Sequence, residues 1–207
     1  MDRLKLFLRN HGLKFYIITY LLILFSILTA SYVFKAEAAK NRNSAQTKGV
    51  QQQTPEPKLT GIPIRIQIPK IGMNASVEQV GIEVDGAMSV PKSWWTVGWY
   101  NLGYKVGDLG SAVMSGHYDT NTGAPAVFYK VGSLVPGDTI TVTNTDGAVL
   151  KFRVIRKETY PYDQMPLQSI FGTGGRTQLN LITCAGTWNR ATRNYSHRTV
   201  VYSELIN

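Results

Sequence analysis

Hydrophobic positions along the chain fall into three regimes. Phe15 to Phe34 form a run without a charge, FYIITYLLILFSILTASYVF, long enough to cross a hydrocarbon core as one helix. From Lys35 to Thr60 the chain turns polar, rich in Gln and Asn with little to bury, and reads as a linker or stalk. Beyond Gly61 the apolar residues come in short alternating or continuous runs punctuated by glycine and proline, the pattern of an all-β domain.

Inside that domain Ile62, Ile64, Ile66 and Ile68 alternate cleanly with polar or small neighbours. Further strands are predicted over Gly86–Val90, Ser111–Ser115, Thr139–Asn144, Ala148–Thr159, Gln178–Thr183 and Thr199–Leu205. The Thr145-Asp146-Gly147 stretch predicts a hairpin, because Asp-Gly supplies the positive φ angles of tight β-turns. Short helices are expected at Pro125–Val131 and Gln164–Phe171. So many short strands suit a sandwich or a barrel, and periodicity does not choose between them.

The predicted organisation is a cytoplasmic N-terminus at residues 1–14, a transmembrane anchor at 15–34, a linker at 35–60 and an extracellular domain at 61–207. Arg3, Lys5, Arg9 and Lys14 precede the apolar run, as expected of a cytoplasmic flank. Ala36-Glu37-Ala38 imitates a signal-peptide cleavage site, but the run exceeds the usual signal core, so a retained single-pass anchor in the cell membrane is expected.

Charge changes this picture little. The net charge is +9, yet nine basic and three acidic residues precede Gly61, which leaves thirteen against ten for the rest. So small an excess, with no nucleic-acid-binding motif, argues against a nucleic-acid partner.

Export gives the single cysteine its meaning, since a lone Cys in an oxidising compartment has no internal disulfide partner. Cys184 closes the run Leu179-Asn180-Leu181-Ile182-Thr183. Its bland reading is a small buried core residue; its functional reading is a nucleophile held rigidly at a strand end and open above. His117 ends the apolar run Ala112-Val113-Met114-Ser115-Gly116, and His197 is the other histidine of the domain. Arg198 opens the last strand, where its fixed fork of donors suits an oxyanion or a substrate carbonyl. Taken singly, a structural histidine and a surface salt bridge are the commoner roles for such residues.

In combination the pattern resembles the sortase family. The motifs that carry the resemblance are Ser115-Gly116-His117-Tyr118-Asp119, Leu181-Ile182-Thr183-Cys184 and Tyr195-Ser196-His197-Arg198 leading into the terminal strand. Cys184-Ala185-Gly186-Thr187-Trp188 and Val97-Gly98-Trp99-Tyr100 look most like class F, ahead of classes D and E. Asn180 departs from the pattern, standing where Thr is commoner.

The resemblance implies a closed eight-stranded β-barrel with one or two short helices. It also implies catalytic roles for Cys184, His117 and Arg198 in cleaving an LPxTG-like sorting signal and passing the acyl group to an amine acceptor, such as a peptidoglycan precursor. Thr183, Ile182, Trp188 and Tyr118 are the expected substrate-binding residues. No cofactor is expected, and no metal, because the carboxylates show no oxygen-ligand spacing.

Other cysteine enzymes fit less well. L,D-transpeptidases carry a Ser-His-Gly-Cys-like motif that is absent here, and the papain pattern puts Cys before His. The alternative from another class is a catalytically idle, membrane-tethered β-domain that binds sorting-signal peptides or wall components.

Overall fold

The computed structural model describes residues 61–206. The expected N-terminus, membrane anchor and linker lie outside the described residues, among which no helix is long and apolar enough to cross a membrane.

Eight strands close a barrel: β1 (Pro63–Ile68), β2 (Met73–Val80), β3 (Val97–Tyr100), β4 (Gly110–Ser115), β5 (Thr139–Asn144), β6 (Val149–Pro161), β7 (Thr177–Asn189) and β8 (Asn194–Ile206). Their order around the barrel is β1-β2-β3-β4-β7-β8-β6-β5. The β2–β3 and β4–β7 pairs are parallel and the others antiparallel. Closure pairs every strand on both sides and leaves no open edge. It resolves the choice between sandwich and barrel left open by periodicity.

The barrel interior is filled by Ile66, Ile68, Val97, Trp99, Met114, Phe128, Ile140, Val142, Phe152, Leu179, Leu181 and Val201, among others. Phe128 and Phe152 are wholly buried, so truncating either to alanine should cost about 3–5 kcal/mol. A second apolar cluster, Val113, Ile170, Val200 and Tyr202, lies apart from the first. It is covered by the one α-helix among the described residues, α1 (Leu167–Phe171). Asn180, buried on β7, donates from Nδ2 to the Ile170 carbonyl at 2.7 Å and ties that helix to the barrel.

Several expectations need correction. The isoleucine alternation breaks because the β1–β5 register shifts between Pro63 and Arg65, and Ile64 faces outward. Gly86–Val90 is not a strand: Gly86, at φ +84°, donates its N–H to the Glu83 carbonyl and closes a tight turn over Glu83–Gly86, and beyond it only an isolated Ile82–Met88 bridge remains. Pro125–Val131 is not a helix. The N–H groups of Ala126, Val127 and Phe128 donate to the carbonyls of Tyr118, Trp94 and His117, so they are lost to a helical ladder. A 3-10 turn follows at Val131–Ser133.

Candidate active site

Alternation along three adjacent strands builds the site. On β4, Ala112 and Met114 belong to the interior cluster and Val113 to the outer one; on β7, Leu181 points in and Ile182 out; on β8, Val201 points in and Val200 out. A period of two carried to the strand ends therefore puts Cys184 and Arg198 on the outer face. Cys184 and Arg198 are direct register partners across the β7–β8 pair. The β4–β7 register ends with Ser115 opposite Ile182, and Gly116 donates its N–H to the Ile182 carbonyl. Two residues further along, the same register brings His117 level with Cys184. The three residues thus form a row across the mouths of β4, β7 and β8.

Backbone detail fixes the histidine's exit from β4. Gly116 leaves no room for a side chain: a Cβ there would lie 2.5 Å from the ring of Phe128. The Phe128 N–H donates to the His117 carbonyl at 2.9 Å. Thr183 is buried, and its hydroxyl donates to the Gly116 carbonyl at 3.0 Å, so it lies beneath the row and not on its surface.

The Arg198 fork is held by its own strand. Nη1 donates to the carbonyls of Tyr195 at 3.2 Å and His197 at 2.9 Å, and Nη2 to Asn194 Oδ1 at 2.7 Å. Three bonds engage part of a guanidinium that carries five N–H donors. His197 has the opposite parity from Arg198, and its Nδ1 lies 2.8 Å from the Ser196 hydroxyl. Gly186 makes room for this pair, because a Cβ there would fall 2.3 Å from Ser196 Oγ and 2.7 Å from His197 Nδ1.

Burial pushes the Cys184 thiol above its ordinary pKa; the Arg198 charge pulls it down, and the Asp119 charge pushes it up again. Burial is the largest of these effects. At neutral pH the sulfur therefore rests mainly as the thiol, beside a guanidinium that favours the thiolate.

Aromatic side chains wall one flank. Trp188, Tyr195, Tyr118 and Tyr129 meet in succession, with ring centroids 5.2, 5.7 and 4.8 Å apart. Trp188 is half exposed, and Ile182 packs against the outer cluster. The Tyr195 hydroxyl donates to Asp119 Oδ2, and burial together with that bond raises the Tyr195 pKa far above the usual phenol value. On the other flank Trp94 tilts against the His117 ring at 4.4 Å between centroids, and His117 Nε2 lies 2.8 Å from the Pro91 carbonyl. The sequence reading assigned no role to Asp119, Tyr195, Trp94 or Pro91. Asp119 and Tyr195 stood inside the motifs already quoted, whereas Pro91 and Trp94 lie in a loop with no periodicity to mark it. Among the described residues no cluster of His, Cys, Asp and Glu could hold a metal ion.

Comparison with known proteins settles the lineage. A family model for the Sortase domain matches residues 66–206. The chain belongs to the sortase family. The fold is shared with solved sortases, including sortase C-1 from Actinomyces oris, at a TM-score of 0.55 and 23% identity over 69% of this chain and 73% of that one. Sortase C1 from Streptococcus agalactiae, in complex with MTSET, has a TM-score of 0.55 and 20% identity over 70% and 69% of the two chains. Sortase A from Corynebacterium diphtheriae has a TM-score of 0.52 and 19% identity over 71% and 61%. A search of curated proteins finds no match. The sortase family is one of cysteine transpeptidases, and this sortase has a single cysteine, Cys184, at the row just described.

Proposed function

We propose that this sortase cleaves an LPxTG-like sorting signal between Thr and Gly and transfers the acyl product to an amine. The observation that carries the proposal is the register of Cys184 against Arg198, with His117 two residues beyond the end of the β4–β7 ladder and of the parity that faces the same way.

In this reading the Cys184 thiolate attacks the Thr carbonyl carbon, and the oxyanion that forms takes N–H bonds from Arg198. The C–N bond to Gly breaks as the His117 imidazolium protonates the departing amine, which leaves a thioester and a neutral imidazole. An incoming amine then attacks the thioester, gives its proton to His117 and releases Cys184 as the thiolate, which restores the starting thiolate–imidazolium pair. A peptidoglycan precursor suits the acceptor role, and water would replace it in hydrolysis. Because burial raises the Cys184 pKa, only a small fraction of the resting enzyme carries the thiolate.

Trp188, Tyr118 and Ile182 border the row and are proposed to contact the substrate; buried Thr183 is proposed to support the nucleophile's strand. The class F assignment rests on the Cys184–Trp188 and Val97–Tyr100 stretches. Anchoring through residues 15–34, with the N-terminus cytoplasmic and the catalytic domain outside the cell, rests on the apolar run and its basic flank.

The test is mass spectrometry of sorting-signal peptides incubated with the enzyme, with and without an amine. Release of the Gly-containing fragment, with an amine adduct when amine is present, is expected, as is its loss in Cys184→Ala. Peptide binding without cleavage would establish the idle-binder alternative.

A further inference from the structure

The loop that passes over His117 is built around one carboxylate. Glu78, half-buried on β2, accepts the Lys92 N–H at 3.0 Å and the Thr96 hydroxyl at 2.6 Å on the same oxygen, Oε1. It thereby gathers both ends of the turn between them. Ser93 stiffens that turn by accepting the Trp95 N–H on Oγ at 3.2 Å, and the Trp94 carbonyl accepts the Val127 N–H at 3.0 Å. Pro91 is buried against β3 at Gly98, where a Cβ would come within 3.3 Å of the Pro91 ring. The result is a strap, Pro91–Thr96, fixed to β2, to β3 and to the loop after His117.

Two parts of this strap touch the histidine: the Pro91 carbonyl, 2.8 Å from Nε2, and the Trp94 ring. A carbonyl oxygen has no proton to give, so a bond at this distance requires the proton to sit on Nε2. We infer that the strap, pinned by Glu78, locks His117 in its Nε2–H tautomer and makes Nδ1 the nitrogen through which it passes protons. Glu78 and Trp94 are positioning residues in this scheme.

The inference deepens the proposed function and rests on its assignment of His117 as the proton-transfer group. The imidazolium gives its Nδ1 proton to the leaving amine and returns to the neutral Nε2–H form. The incoming amine then returns one proton to Nδ1. The bond to Pro91 persists through both steps, so the ring need not turn between them.

Two measurements on the full chain test this, and the first does not depend on activity. Two-bond 15N–1H correlation spectra report directly which ring nitrogen of neutral His117 bears hydrogen, with its signals assigned by their loss in His117→Gln. The Nε2–H form is expected; an Nδ1–H form or an even mixture would overturn the inference. In the second, Glu78→Ala should convert His117 to a tautomer mixture. It should also lower kcat for peptide cleavage about tenfold, part of the factor of roughly 10²–10⁴ that a placed general acid contributes, with KM near wild type. Glu78→Gln keeps an acceptor oxygen and should restore both readouts. A Glu78→Ala enzyme with the wild-type spectrum and kcat would remove the strap from the mechanism. An Nε2–H spectrum in a wild-type enzyme that cleaves no sorting peptide would sustain the tautomer and refute the transpeptidase reading instead.

Discussion

Thr183 donates its hydroxyl proton to the carbonyl of Gly116, and this one bond joins the residue before the cysteine to the residue before the histidine. Both partners are buried, so the carbonyl has no ready substitute in water. Thr183→Val keeps the shape and removes the donor. It should cost about 1–3 kcal/mol, the penalty of an unpaired buried acceptor, measured as a lower urea midpoint. Thr183→Ser should recover most of the loss. Equal stability of the Val variant and wild type would mean that the bond contributes nothing.

Cys184 provides a pH test with a defined sign. A raised thiol pKa means that alkylation by iodoacetamide reaches half its maximal rate at a higher pH than for an unperturbed thiol. Asp119 contributes to that rise and Arg198 opposes it. Asp119→Asn should therefore move the midpoint down in pH, and Arg198→Ala should move it up. Shifts in the same direction for both variants would contradict the electrostatic account.

Gly116→Ala places a methyl group 2.5 Å from the wholly buried Phe128 ring. The ring belongs to the interior cluster, and close-packed interiors leave side chains little room to shift. Overpacking of this kind costs about 1–3 kcal/mol, and the strain falls on the residue that aims His117. Thermal denaturation should show the loss, and peptide cleavage should fall by more than the unfolded fraction explains.

The two histidines should behave differently. His117→Ala should lose transpeptidation, because nothing then protonates the leaving amine, whereas His197→Ala should retain most activity. His197 alternates with Arg198 along β8, and its Nδ1 lies 2.8 Å from the Ser196 hydroxyl. Initial rates for both variants across several pH values make the comparison, and a dead His197 variant beside an active His117 variant would overturn the assignment.

Arg198→Lys keeps the charge and loses the planar fork. A drop of about 10²-fold or more in kcat/KM is expected, the scale of one oxyanion donor. Arg193, in the exposed turn before β8 with φ +51°, should tolerate alanine. The reverse result would transfer the role to Arg193.

Legibility in the sequence followed burial. β4, β7 and β8 were readable because their apolar residues are buried on one or both faces, and their ends carry the row of His117, Cys184 and Arg198. β2 was not read although Met73, Ala75 and Val77 alternate with Asn74, Ser76 and Glu78: the alternation is short, Val80 falls out of its period, and only Ala75 and Val80 are fully buried. β3 is four residues long, too short to show a period. Pro125–Val131 misled because its composition permits a helix, while its N–H groups are claimed by the loop and strand beside it. The row itself could be read from spacing and motif. Its supports, Glu78, Pro91 and Trp94, could not, since each acts through a contact between segments far apart in the chain.

The parallel pairing of β4 and β7 has a consequence in time. His117 and Cys184 stand on neighbouring strands, yet the whole of β5, β6 and α1 lies between them in the chain. No local hairpin can bring the two together, so the row assembles only when the long crossover closes, a class of event that folds slowly. A chain emerging in an unfolded state would carry its thiol with no acid beside it. Catalytic competence therefore arrives with barrel closure, and regain of activity on refolding should lag behind formation of the β5–β6 hairpin.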